Sequence, residues 1–450
     1  MASTLSVAHD QPDVTNDAAL QRALRKNLVR LVPLLAIGYF FNYIDRTNIG
    51  FAALTMNRDL GLTGSQFGMA AGLFFVGYCV LEVPSNLALY RFGARRWLAR
   101  IMISWGLLSA ACAFIQGPTS FYVLRVLTGA AEAGFFPGVL FYLSCWFPKA
   151  WRVRVLAWFL VAIPLSSVVG GVLAAFIMQL DGTGGLKGWQ WLFVVEGLPA
   201  CLLGLLTLWL LRDRPEQAEW LTREEAAALA DVLARESAEL PKRNFAAVFR
   251  DVRVWIMVGI LFCYWIGING IAIWLPLMLK GHGLSTFAVG LLSGVPYLVA
   301  AVVMIAWARL MERHGRHLLH LALACVVSAA GLIFAVAFSS LLPALVGMVF
   351  AVIGLSAARP AFYSLPSRYL TGVAAAGGMA FINSMGSLGG YVGPWMVGVL
   401  KDATHSYAPG MLAMSVSLAL AALLTWGLAV YTRHDASEQA SGTSSGFDRT

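Results

Sequence analysis

Apolar stretches of about twenty residues or more recur along this chain from end to end, and no other feature constrains its fold as strongly. Twelve are read, at roughly 30–54, 65–90, 97–116, 120–145, 153–180, 189–211, 253–279, 285–309, 317–338, 341–366, 372–400 and 406–431. Each can cross a hydrocarbon core of ~30 Å as a helix. In lipid, a helix is one of the few structures that satisfies all of its own backbone hydrogen bonds. The chain is 59% hydrophobic and 12% charged, about half the charge of a soluble domain. The expected fold is therefore all-α and polytopic, with twelve transmembrane helices. A soluble core is excluded.

Charge placement gives the expected orientation. The first 27 residues are polar and contain no apolar stretch of the kind a cleavable signal peptide needs. If the spans alternate direction, Arg22, Arg25, Lys26 and Arg30 share a side with Arg91, Arg95, Arg96 and Arg100. Lys149, Arg152, Arg154, Arg309, Arg313 and Arg316 fall there too. The opposite loops carry only Arg58, Lys187, Lys280 and Lys401. This asymmetry predicts cytoplasmic termini in a plasma membrane. It also accounts for the formal charge of +9 without a nucleic-acid surface, because the cations are spread over loop ends. The six cysteines lie in or beside apolar spans with no CxxC pair, and read as small apolar fillers.

One long polar insertion, residues 212–252, divides six spans from six. Within it, Thr222 and Glu225 form a capping box ahead of an expected surface helix. The organisation read is a 1–29 tail, a 30–211 half, the 212–252 loop, a 253–432 half and a 433–450 tail. The halves match at a fixed offset. Gly68 and Gly72 recur as Gly290 and Gly294, and Arg91 and Gly93 recur as Arg313 and Gly315, each 222 positions on. A parallel duplication with a ligand site at the midplane between the halves is the expectation.

Motifs exclude several classes. The chain has no GxxxxGK[ST] loop to drive ATP-powered pumping, no HExxH and no GxSxG. No enzyme activity and no metal site are expected. His314, His317 and His320 read as solvated or phosphate-facing histidines of a basic loop.

The informative residues are ionisable groups inside spans. Asp45 and Arg46 stand side by side midway along the first, and Arg125 and Glu132 lie in the fourth. Seven residues is two helical turns, so the latter pair shares a face, roughly 10 Å apart along the axis. Four such charges in lipid would cost on the order of 10 kcal/mol or more, so they face the bundle interior or a wet cavity. A structural network that neutralises itself is one reading of them. A substrate and proton site is the other: arginine grips a carboxylate with two parallel hydrogen bonds, while a carboxyl placed between desolvation and an arginine is poised to titrate. The duplication has not kept the first pair, since Gly267 and Ile268 stand at the matching positions. Charge chemistry is expected mainly in the N-terminal half.

"NYIDRTNIGFA", "GLFFVGYCVLEVPSNL", "GARRWLARI", "LRVLTGAAEAGFFPG", "GWQWLFVVEGLPA", "DRPEQAEWLTREE" and "FINSMGSLGGYVGP" occur in that order. Together they resemble the anion:cation symporter family of the major facilitator superfamily, over about residues 30–430. That family includes bacterial permeases for phthalate, tartrate, hydroxyphenylacetate and sugar acids such as galactonate. The resemblance implies proton-coupled uptake of an organic anion by alternating access between two pseudo-symmetric halves. It further implies that Arg46 contacts the substrate carboxylate and that Asp45 and Glu132 carry protons. Arg125 would pair with Glu132 in one protonation state and release it in another. Tyr43, Tyr78 and Asn383 would line the cavity. Gly93, Arg95 and Arg96 match a gating loop whose usual acidic residue is missing here. The proton gradient is the energy source, with no cofactor, and a monomer is expected.

One departure from the family pattern bears on substrate. Arg359 adds a cation to span 10, near Phe362, Tyr363, Tyr264 and Trp265. Facing the cavity, it would bind a second carboxylate opposite Arg46, and the substrate would be a dicarboxylate such as phthalate or tartrate. Snorkelling to the interface is the alternative, leaving a galactonate-like or hydroxyphenylacetate-type monocarboxylate, or anion exchange. Glu82 and Glu196, nearer span ends, read as gate or packing partners. Pro164, Pro296 and Pro366 read either as kinks that aid rocking or as plain packing accommodation.

Overall fold

A computed structural model describes residues 18–238, 251–338, 340–365 and 372–444. All regular structure among them is helical. The first half contains α1 (Ala18–Asp59), α2 (Gly64–Phe92), α3 (Ala94–Ala111), α4 (Pro118–Glu132), α5 (Phe135–Ser144), α6 (Lys149–Leu160), α7 (Ala162–Ile177) and α8 (Gly188–Leu210). The surface helix α9 spans Arg223–Ala238. The second half contains α10 (Val252–Lys280), α11 (Thr286–His314), α12 (His317–Ala337), α13 (Leu341–Tyr363), α14 (Gly372–Ser387), α15 (Gly389–Thr404) and α16 (Ala408–Ser444). Eleven segments among the described residues are long and apolar enough to cross a membrane. α14 and α15 together occupy the stretch expected to form the remaining span.

Several spans are broken, each for a local reason. Span 4 divides directly after Glu132, where Gly134 adopts φ 88° against Ser85, a conformation that suits glycine. Span 5 divides at Val161, three residues before Pro164. Proline has no N–H to offer the carbonyl one turn back, so the helix is interrupted there. Pro296 lies inside the continuous α11. Pro366 lies outside the described residues.

Two helices extend past the expected spans at the ends of the chain. α1 begins at Ala18, not near residue 30, and its first turns bury Leu20, Ala23 and Leu24. They do so because α9 supplies a partner. Trp220 donates to Asn27 Oδ1 at 2.8 Å and stacks on Trp146. α16 continues past residue 432 to Ser444. The histidine reading is corrected for His317 and His320, whereas His314 is exposed as read. His320 is buried on the edge of the Trp307 ring, and His317 meets Ser364 Oγ at 3.1 Å.

The capping box forms as read. Glu225 N–H donates to Thr222 Oγ1, and Thr222 N–H donates to Glu225 Oε2. Glu225 also accepts a 2.7 Å bond from Lys26 Nζ. That bond, followed by the Thr222 backbone N–H, holds its carboxyl below the usual carboxylate range. A group lowered in this way stabilises the clasp at neutral pH, and the contribution disappears as pH falls through the lowered value. Amide exchange across Arg223–Ala238 should therefore accelerate on acidification relative to intrinsic rates. Glu225→Gln should already exchange several-fold faster at neutral pH and lose the pH dependence.

The duplicated glycines perform the same task twice. A Cβ on Gly68 would strike the Pro394 backbone, and one on Gly72 would lie 2.8 Å from the Tyr391 ring. α2 thus lies directly on α15. A Cβ on Gly290 would lie 2.5 Å from the Gly171 carbonyl, and Gly294 meets the Val168 backbone, so α11 lies directly on α7. Spans 2 and 11 in one seam correspond to spans 8 and 5 in the other. The loop glycines correspond too. Gly93 and Gly315 both have positive φ, and their N–H groups cap Leu89 and Met311.

Candidate functional site

Adjacent residues on a helix point in different directions, and this separates the first two charges. Asp45 turns toward α3 and is almost fully buried. Its Oδ2 accepts from Trp105 Nε1 at 2.8 Å. Its Oδ1 accepts from Ser109 Oγ at 2.8 Å and Asn48 Nδ2 at 3.3 Å. No cation pairs with it among the described residues. Arg46 turns instead toward α4 and α2. Its Nε donates to Glu132 Oε1 at 2.6 Å, and a terminal nitrogen meets the same oxygen. Its guanidinium also lies 5.0 Å from the Tyr78 ring, 5.3 Å from Phe74 and 5.7 Å from Tyr43, within cation–π range.

Glu132 is fully buried as the last residue of α4, and the helix break begins just beyond it. Arg125, two turns earlier, is buried too, with its guanidinium 4.9 Å from the Phe74 ring. Close packing sets this placement: Gly129 leaves no room for a Cβ against the Phe74 backbone, nor Gly77 against Val126. In this state Glu132 is held by Arg46 and not by Arg125, whose Nε has no hydrogen-bond partner. Glu132 Oε2 is likewise without one.

The second half contributes one cation. Arg359 on α13 does not snorkel. Its guanidinium crosses between the halves to lie 5.9 Å from the Tyr43 ring, with Tyr264, Tyr39 and Tyr363 as its other near neighbours. No carboxylate pairs with it among the described residues. Phe362 is buried against the Tyr363 ring, and Trp265 packs on Phe75 across the halves. Asn383 bridges the halves. It accepts from Tyr363 Oη at 3.0 Å and donates to Glu82 Oε1 at 3.2 Å. Ser384 donates to the other oxygen of Glu82 at 2.5 Å.

An acid from elsewhere in the chain meets the loop between α2 and α3. Asp213, just after α8, accepts the Arg95 backbone N–H at 2.9 Å and lies against Gly93. Arg95 Nε donates to the Leu208 carbonyl at 2.6 Å, whereas Arg96 is exposed. Asp213 belongs to the quoted "DRPEQAEW" stretch, but nothing in its spacing announces a contact more than a hundred residues away.

Arg46 with its bonded Glu132 and, from the other half, Arg359 meet around the Tyr43 ring between two six-helix halves, the arrangement of a polytopic membrane carrier. The chain belongs to the Major Facilitator Superfamily, whose model matches residues 35–394 and 289–447. It is 46% identical over 92% of its length, and 93% of the relative's, to an Agrobacterium vitis protein named as a tartrate transporter. It is 41% identical to the metabolite transport protein NicT of Pseudomonas putida, over 89% of this chain and 92% of that one. Among solved structures, a bacterial homologue of the human lysosomal transporter Spinster superposes with a TM-score of 0.72 at 19% identity, covering 89% of this chain and 96% of that one. That likeness concerns the fold.

Proposed function

We propose that this carrier imports an organic dicarboxylate, of which tartrate is the leading example, together with protons. The observation that carries the reading is Arg359. It is a half-buried cation aimed across the halves at the Tyr43 ring, which Arg46 also meets, with aromatic rings and no carboxylate around it among the described residues. A substrate with two carboxylates supplies what both arginines lack once Arg46 is free. The relative named as a tartrate transporter supports the same substrate class.

Coupling follows from competition for Arg46. While Glu132 is ionised, it occupies the guanidinium. A proton arriving on Glu132 removes the ion pair and frees Arg46 for the substrate carboxylate. Proton and substrate then load together, and the substrate carboxylates match Arg46 and Arg359 as the halves rock. Asp45 is the second proton carrier. The arginine-rich side faces the cytoplasm with both termini, in the plasma membrane. Glu82, Asn383 and Ser384 close the halves on that side, and the glycine seams close them on the other.

Proton-gradient-driven uptake into proteoliposomes tests the reading, with labelled tartrate and phthalate compared against galactonate and hydroxyphenylacetate. Selective dicarboxylate uptake is expected. Arg359→Ala should raise the KM for the dicarboxylate by roughly thirtyfold or more, since losing one partner of a desolvated charge pair costs about 2 kcal/mol or more. Any residual monocarboxylate transport should keep its KM. An unchanged dicarboxylate KM in this variant removes Arg359 from the site.

A further inference from the structure

Among the described residues, Glu196 is the buried acid inside a membrane span that this cycle leaves without a role. It lies on α8, with none of its surface exposed and no hydrogen-bond donor in bonding geometry to either oxygen. The side chain it meets is Asn48, and the nearest charge is Asp45. Both belong to α1. The remaining titratable groups around this cluster are the thiols of Cys201, on the same helix, and Cys112. Arg125 and Glu132 lie on the far side of Asp45. No cation pairs with Glu196 among the described residues.

The two carboxyls have opposite surroundings. Asp45 is met by three donors, Trp105, Ser109 and Asn48, which suits a carboxylate. Glu196 has no donor in bonding geometry on either oxygen. A carboxylate without donor or cation in a dry interior would be left unsatisfied at full desolvation cost. A carboxylic acid there carries no charge and avoids that cost. Packing prevents water from substituting. α8 approaches α3 at Gly106 and Gly197, where a Cβ on either glycine would lie within 2.8 Å of the other's carbonyl.

We propose that Glu196 holds a proton beside Asp45 and is a further proton-carrying residue of the transport cycle. The pair shares a single negative charge. When the proton leaves Glu196 for Asp45, the first becomes a carboxylate as the second becomes an acid, and no net charge is created inside the bundle. Paired carboxyls with contrasting environments are how proteins divide acid and base roles, and two such groups titrate as a unit. The role in transport rests on the symport reading; the protonation does not.

Infrared spectra of the purified full-length carrier decide the protonation without substrate. Wild type at neutral pH should show a protonated-carboxyl C=O band that shifts in D2O and is absent from Glu196→Gln. Asp45→Asn keeps Glu196 in place and removes the neighbouring negative charge, so in that variant the band should disappear at lower pH than in wild type. Identical spectra for wild type and Glu196→Gln overturn the proposal, as does a band that Asp45→Asn leaves unmoved. In proteoliposomes, Glu196→Gln should accumulate about tenfold less substrate per pH unit, one proton's share. An unchanged slope restricts Glu196 to a structural acid and overturns its carrying role. Should wild type accumulate nothing under a pH gradient, the symport reading fails and takes the carrying role with it, while the infrared band still decides the state of Glu196.

Discussion

Proteoliposomes carrying Glu132→Gln should fail to concentrate substrate under a pH gradient, yet still exchange labelled for unlabelled substrate. In wild type each coupled proton supports about tenfold accumulation per pH unit, because one unit is worth about 1.4 kcal/mol. In the variant the ratio should fall to ~1. The reason is the bond pair from Arg46 to a single carboxylate oxygen. An amide cannot hold the guanidinium as an ion partner, so Arg46 stays open to substrate whether or not a proton has arrived. The gate that ties one to the other is gone, while the passage is not. Measuring both modes on one preparation separates uncoupling from misfolding. Wild-type accumulation by this variant would refute the coupling role of Glu132.

The second large effect concerns the joint and not the chemistry. Gly68→Leu should depress transport by about two orders of magnitude and hold the carrier with its α2–α15 seam open. A Cβ at this position already meets backbone atoms of Pro394 and Trp395, which cannot swing aside as a side-chain tip would. Overpacking by single methylenes costs typically 1–3 kcal/mol, and leucine adds several carbons. Gly290→Leu should reproduce the phenotype at the matching seam, while Gly117→Ala, with nothing within 4 Å, should leave transport intact. A cysteine introduced at Ser65 reports the seam through its reaction with an impermeant maleimide. Labelling should rise in both leucine variants, and wild-type labelling in either would show that the seam tolerates the side chain.

Much of this architecture was legible because membranes impose it. Span positions follow from apolar length alone, and the duplicated glycines and arginines marked matching places in the two halves before their contacts were seen. The capping box of α9 was readable from Thr222 and Glu225. The inward placement of the charged residues was readable too, since a charge inside a span is too costly to face lipid. Their pairing was not. Sequence proximity suggested a network of four, whereas successive side chains diverge around a helix, giving Asp45 to α3 and Arg46 to Glu132. Trp105 and Ser109 carry no mark that separates them from ordinary packing residues. Asp213 and Asn48 act through contacts that only the tertiary fold creates. Glu82 was read as a gate or packing partner, and its bonds to Asn383 and Ser384 place it between the halves. Helix ends were misjudged where a soluble element, α9, gave α1 a reason to continue.

The paired glycine seams have a consequence for how such a carrier can change. They join the halves through main-chain surfaces, so the moving joint depends on the absence of side chains and not on their identity. Residues facing the ligand can therefore be exchanged without rebuilding the joint. The second half carries Arg359 in its tenth span, and the acid chemistry stays with the first. A carrier built this way can acquire a new cargo through one or two substitutions at the centre and keep its means of motion intact.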